Sequence, residues 1–239
     1  MCSPPTGVSA NEIKDISTLG CFSQGNSLAL LSNVKNLSSA ANDQRKHDMS
    51  NLEPLLERNR AFAATGVHEG QPPNPNRNLF VITCFDARVD PAHLLGTDFG
   101  DLVVMRNEGG RVTKEIIEKL TFAGILLEAL QGNPFPSGEV ALIHHTNCMT
   151  SYLADDNLRK LYADRIGADE AELLELAVID PVATVTHDVA VIRAATSVPQ
   201  SLTISGHVYD VETGLISTVL VDKPSEDYPD TCAVPNAGA

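Results

Sequence analysis

Three apolar runs punctuate the middle of the chain, at residues 79–83, 101–106 and 140–143. None alternates like a half-solvated strand. Short uninterrupted runs of this kind mark strands covered on both faces, the pattern of a parallel sheet between helices. Between the second and third runs, Ile116, Leu120, Ala123, Leu127 and Leu130 recur at spacings of four and three. That places one apolar face on a helix, and Gly132 with Pro134 is expected to stop it. Strand, helix, strand implies a right-handed parallel crossover. Upstream, Leu52, Leu55, Leu56 and Phe62 have helical spacing, and residues 70–78, with three prolines, read as a loop into the first strand. Downstream, helices are predicted near residues 155–166, 169–176 and 181–195. Residues 202–208 and 215–221 flank Glu212-Thr213-Gly214 and read as a hairpin or paired strands. The expected fold is α/β, with a mainly parallel central sheet flanked by helices.

Residues 1–50 are rich in Ser and Asn with one apolar patch at residues 28–31, and read as an N-terminal extension, partly disordered or an arm reaching a partner subunit. Residues 51–223 form the folded domain, and 224–239 a disordered tail. Hydrophobic residues make up 43% of the 239, enough for a globular core. A net charge of −14 argues against nucleic acid and against anionic membrane surfaces, both of which select for Lys and Arg. No apolar run reaches the roughly 18 residues of a membrane span. Five cysteines do not make an even disulfide framework, and the N-terminus lacks the basic and apolar regions of a secretory signal. The chain therefore reads as cytoplasmic.

The cysteines carry the chemistry. Cys84 and His145 stand at or just past the ends of two apolar runs, where sites form in open α/β sheets. Cys148 follows His145 at a spacing that suits a local chelate. Two thiolates and one imidazole make a three-ligand set that leaves one position of a tetrahedral zinc open, as catalytic zinc sites do. The plain alternative for Cys84 is a buried structural thiol. His144 competes with His145, but adjacent strand residues face opposite sides, which favours His145 as ligand and His144 as a packed or hydrogen-bonded side chain. In an extended segment Cys84, Asp86 and Arg88 share a face. A carboxylate beside the metal would orient its water, and Arg88 would keep that carboxylate ionised and fixed. The alternative is a structural ion pair holding a loop.

Cys84-x-Asp86-x-Arg88, Arg106-Asn107-Glu108-Gly109-Gly110 and His145-x-x-Cys148 together resemble the β-class carbonic anhydrases. Residues 206–214 resemble a segment of that family's smaller members, and the likeness runs from about Asn51 to Val221. The resemblance implies Zn²⁺ on Cys84, His145 and Cys148, an Asp86–Arg88 catalytic dyad, and hydration of CO2 to bicarbonate by a zinc-activated water. It also implies a homodimer, or a higher even oligomer, with sites near the subunit interface. Two positions depart from the family pattern. Glu108 stands where a small residue is usual, and Met149 stands where glycine usually follows the last cysteine. These two, with Gly109 and Gly110, are the candidate pocket residues. A thioether in the pocket wall would suit a more polarizable substrate, so hydrolysis of carbonyl sulfide or carbon disulfide is the alternative activity.

Overall fold

The computed structural model describes residues 51–131 and 138–224. The expected extension at 1–50, the expected helix stop at Gly132 and Pro134, and the tail from 225 lie outside the described residues. Helix α1 (Glu53–Ala64) starts with a proline in its first turn, and all its residues are exposed. It belongs to a compact unit of its own, separate from the one that begins at Gly66.

The second unit is built on five strands, β1 (Leu79–Cys84), β2 (Leu102–Asn107), β3 (Glu139–His145), β4 (Thr203–Tyr209) and β5 (Ile216–Asp222), in the order β2-β1-β3-β4-β5. The first four are parallel and β5 is antiparallel to β4. The connection from β2 to β3 runs through α3 (Lys114–Gln131) and passes over β1, so the parallel crossover skips one strand. Helices α2 (Pro91–Leu95), α4 (Asp156–Ile166), α5 (Glu170–Glu175) and α6 (Pro181–Ala194) complete the unit. Four of these starts share one device. Asp90, Asp155, Asp169 and Asp180 each accept from backbone N–H groups of the first turn, satisfying donors that a helix start leaves free.

Period-two alternation sends successive strand side chains to opposite faces. Phe80, Ile82, Val140, Leu142 and Ile204 meet Ile116, Leu120 and Leu127 of α3 and Val185, Val189 and Ile192 of α6. Each such fully buried chain contributes roughly 1.5–3 kcal/mol. Val81, Ile143 and Tyr209 face the other way and pack with Val89. Burial on both faces accounts for the unbroken apolar runs of β1 and β3. It leaves their C-terminal ends as the place where polar chemistry begins.

Candidate metal centre

β1 and β3 are direct neighbours, with Thr83 paired to Ile143, so the ends of both strands lie at one edge of the sheet. Cys84 closes β1 and His145 closes β3. A tight turn then brings Cys148 back, with Asn147 in the left-handed region at φ 54°. The Thr146 N–H donates to the Tyr209 carbonyl at 3.0 Å, and the Thr146 hydroxyl accepts the Val211 N–H at 3.1 Å, anchoring that turn to the end of β4.

The result is a buried trio. The sulfurs of Cys84 and Cys148 lie 3.9 Å apart, and the donor atoms of Cys84, His145 and Cys148 all fall within 4.8 Å of one another. Tetrahedral zinc with Zn–S bonds near 2.3 Å would set its sulfurs roughly 3.7 Å apart, so the spacing fits the ion. His145 Nδ1 lies 2.9 Å from the Thr146 carbonyl oxygen. A carbonyl only accepts, so Nδ1 carries the proton and Nε2 offers a lone pair. That Nε2 is buried and has no hydrogen-bond partner among the described residues. A buried lone pair beside two thiols is a donor that a bound cation would satisfy. The hydrogen bond shared between the two sulfurs raises the pKa of the Cys84 thiol and, with the Thr150 hydroxyl, lowers that of Cys148.

Asp86 sits one step from the trio, and its backbone N–H reaches Cys84 Sγ at 3.4 Å. Arg88 takes both of its carboxylate oxygens, Nε to Oδ1 at 3.0 Å and Nη2 to Oδ2 at 2.7 Å, while the Arg88 backbone N–H donates to Oδ1 at 2.8 Å. The arginine bonds outweigh burial and hold this carboxyl down to about 2. Arg88 Nη2 also donates to the Asn147 carbonyl at 2.9 Å, tying the dyad to the turn before Cys148. Both carboxylate oxygens of Asp86 are thus engaged by Arg88.

The other expected residues fall in different places. Met149 is 57% exposed and lines a cleft of about 560 Å³ with Phe85, Asp86, Arg88 and Tyr152. Glu108, Gly109 and Gly110 do not line it. Glu108 is exposed at the head of a 3₁₀ turn, and both glycines are buried behind the trio. Arg106 donates to the carbonyls of Cys84, Asp86 and Val89 at 3.0, 2.7 and 2.6 Å, and so braces the loop that carries the dyad. His144 turns away from His145. Its Nδ1 lies 2.8 Å from the Thr184 hydroxyl and its Nε2 3.2 Å from the Gly110 carbonyl.

Two features had no counterpart in the sequence reading. Thr150 Oγ1 lies 3.1 Å from Cys148 Sγ. Behind the trio, Asp188 of α6 takes Arg111 Nε and Nη2 at 2.8 and 3.0 Å and the Val112 N–H at 3.0 Å, and His144 Nε2 stands 3.4 Å away. The hydroxyl two residues after the last cysteine was the available signal for Thr150. No local signal pairs Arg111 with Asp188.

A parallel sheet carrying a Cys–His–Cys cluster at its C-terminal edge is the architecture of a carbonic anhydrase-type protein, and comparison agrees. A carbonic anhydrase family model matches residues 79–149. The β-carbonic anhydrase 1 of Mycobacterium tuberculosis is 29% identical over 156 residues, covering 65% of this chain and 90% of that protein. A carbon disulfide hydrolase of Acidithiobacillus thiooxidans is 32% identical over 159 residues, covering 58% of this chain and 75% of that protein. Among solved structures, a carbonic anhydrase of Streptococcus mutans matches with a TM-score of 0.60 at 27% identity, covering 73% of this chain and all (100%) of that one. The chain belongs to the β-carbonic anhydrase family. Among the described residues no helix is long and apolar enough to cross a membrane.

Proposed function

We propose that this protein is a zinc enzyme that hydrates CO2 reversibly to bicarbonate, with residues 51–223 as its catalytic domain and a homodimer or higher even oligomer as its working form. The observation that carries this reading is the Cys84–His145–Cys148 donor trio beside a carboxylate, Asp86, that Arg88 holds by both oxygens. Cys84, His145 and Cys148 would hold the ion. Zinc bound there would supply a Lewis acid that brings the pKa of a bound water toward neutrality.

The chain's own residues do the rest. Asp86 stays ionised, because Arg88 stabilises its charge at both oxygens. A carboxylate this acidic does not take up a proton near pH 7. It accepts a hydrogen bond at a free lone pair, and so turns the water's own lone pair toward the substrate carbon. Arg88 fixes that acceptor from two sides, and its bond to the Asn147 carbonyl keeps dyad and ligand turn in register. Phe85, Met149 and Tyr152 give the cleft an apolar wall that a small linear molecule without hydrogen-bond donors can enter.

Met149 supports a second reading, hydrolysis of carbonyl sulfide or carbon disulfide to hydrogen sulfide and CO2. A polarizable thioether lines the cleft, and the chain is similar to a carbon disulfide hydrolase. The two are separated on protein holding about one zinc per chain. The measurement is kcat/KM for CO2 hydration by stopped flow, beside sulfide release from carbonyl sulfide and carbon disulfide. Fast hydration with slow sulfide release supports the first reading, and the reverse pattern replaces it with the second.

A further inference from the structure

Thr150 holds a position that the proposed chemistry leaves unused. Its hydroxyl oxygen lies 3.1 Å from Cys148 Sγ and accepts the Val178 backbone N–H at 3.3 Å. A hydroxyl has one proton to give. With an N–H already occupying a lone pair, that proton is directed at the sulfur, which as a ligand thiolate only accepts. Thr150 is only 8% exposed, so its hydroxyl is shielded from competing water. Cys84 Sγ accepts the Asp86 backbone N–H at 3.4 Å. A side-chain hydroxyl thus stands against one ligand sulfur, and a backbone N–H against the other.

We propose that Thr150 is a positioning residue for the metal, its hydroxyl drawing charge from the Cys148 thiolate and fixing the direction of that sulfur. The role rests on the reading of Cys84, His145 and Cys148 as the zinc site. Two thiolates nearly neutralise a divalent ion and so weaken it as a Lewis acid. A hydrogen bond to a thiolate stabilises its lone pair and reduces what it donates, which restores part of that acidity. The hydroxyl thus offsets the cost of a two-sulfur ligand set without changing the ligands.

The test is the sulfur-to-cobalt charge-transfer band of the cobalt(II)-loaded full chain, recorded for the parent and for Thr150→Val, Thr150→Ala and Thr150→Ser. A more electron-rich thiolate gives up its electron more easily. The band should therefore move to lower energy in Val and Ala and stay in place in Ser. In the zinc-loaded proteins kcat/KM for CO2 should fall by about tenfold in Val and be restored in Ser. Val keeps the shape of Thr, and Ala serves where Val does not fold. A band at one energy in all four proteins, or a Ser shift as large as that of Val, overturns the role. Absence of any sulfur-to-cobalt band in the parent overturns the metal-site reading, and this role with it.

Discussion

Gly110 and Cys84 meet backbone to backbone: a Cβ placed on Gly110 would stand 2.9 Å from the Cys84 nitrogen and 2.8 Å from the Thr83 carbonyl carbon. Gly110 also has φ +69°, and its carbonyl lies 3.2 Å from His144 Nε2. No side chain can give way here, because both obstacles are main chain of β1. Gly110→Ala should therefore lower stability by roughly 2 kcal/mol or more, through strain at positive φ plus displacement of the strand end. Urea unfolding would measure the loss, and zinc content per chain should fall with it. A variant with parental midpoint and full zinc would show that β1 can move without consequence.

The Asp86–Arg88 pair yields a sharper expectation, because it separates turnover from metal retention. Asp86→Asn keeps the shape and most hydrogen bonds but loses the charge that orients the water. CO2 hydration should drop on the order of 10²-fold or more, with zinc per chain and far-UV circular dichroism unchanged. The pH dependence adds a control. Arg88 holds the Asp86 carboxyl down to about 2, so the group does not titrate near neutrality. Any activity midpoint near neutral pH in the parent should thus persist at the same pH in the Asn variant, at lower amplitude. Loss of that midpoint would assign it to Asp86 and contradict the fixed-acceptor role.

How far the sequence revealed this arrangement follows from the range of the interactions. Strands covered on both faces leave unbroken apolar runs, so β1 and β3 were legible, and with them the shared edge where Cys84 and His145 emerge. The run at 101–106 marked β2 as well, but β2 is an edge strand with no fully buried residue, not one covered on both faces. Strand alternation alone sends His144 and His145 to opposite sides, and the two rings do so. The one-turn helix α2 escaped notice because five residues are too few for a periodic signal, although Asp90-Pro91 is a start signal. The glycine pair was legible as a place of unusual backbone. Its position behind the trio rather than on the cleft was not, since that depends on contacts to Thr83, Val178 and Thr150. Arg111 and Asp188 are 77 residues apart, and no local pattern encodes their pairing.

That buried pair has its own pH signature. Burial raises the Asp188 carboxyl, but bonds from His144 and Arg111 reverse this and bring it from 3.8 to about 2. A folded pKa below the unfolded one means that the ionised carboxylate favours folding. The contribution is complete above about pH 5 and is lost as pH falls through about 2. Its size is about 2 kcal/mol by linkage. Asp188→Asn would leave Arg111 buried without its counter-charge and should cost roughly 3 kcal/mol at pH 7. Stability of the variant should also fall less steeply than that of the parent between pH 4 and pH 2. Chemical denaturation across that range would check both slopes, and parallel slopes would remove Asp188 as the source.

Met149 puts a thioether on the cleft wall beside Asp86 and Arg88, and substrate choice is the property it should govern. The side chain is 57% exposed and packs no core, so its replacement should leave stability nearly unchanged. Met149→Gly removes the thioether and opens the wall beside Asp86 and Arg88. If the thioether favours a sulfur-bearing substrate, the ratio of kcat/KM for carbonyl sulfide to that for CO2 should fall by about tenfold, the scale at which one pocket contact discriminates. Met149→Leu holds the volume while removing the sulfur, and so divides shape from polarizability. A ratio that falls in Gly but not in Leu makes the wall's shape decisive, and a fall in both assigns the preference to sulfur. An unchanged ratio in both variants would place the choice of substrate elsewhere, with Phe85 and Tyr152 the remaining large side chains on that wall.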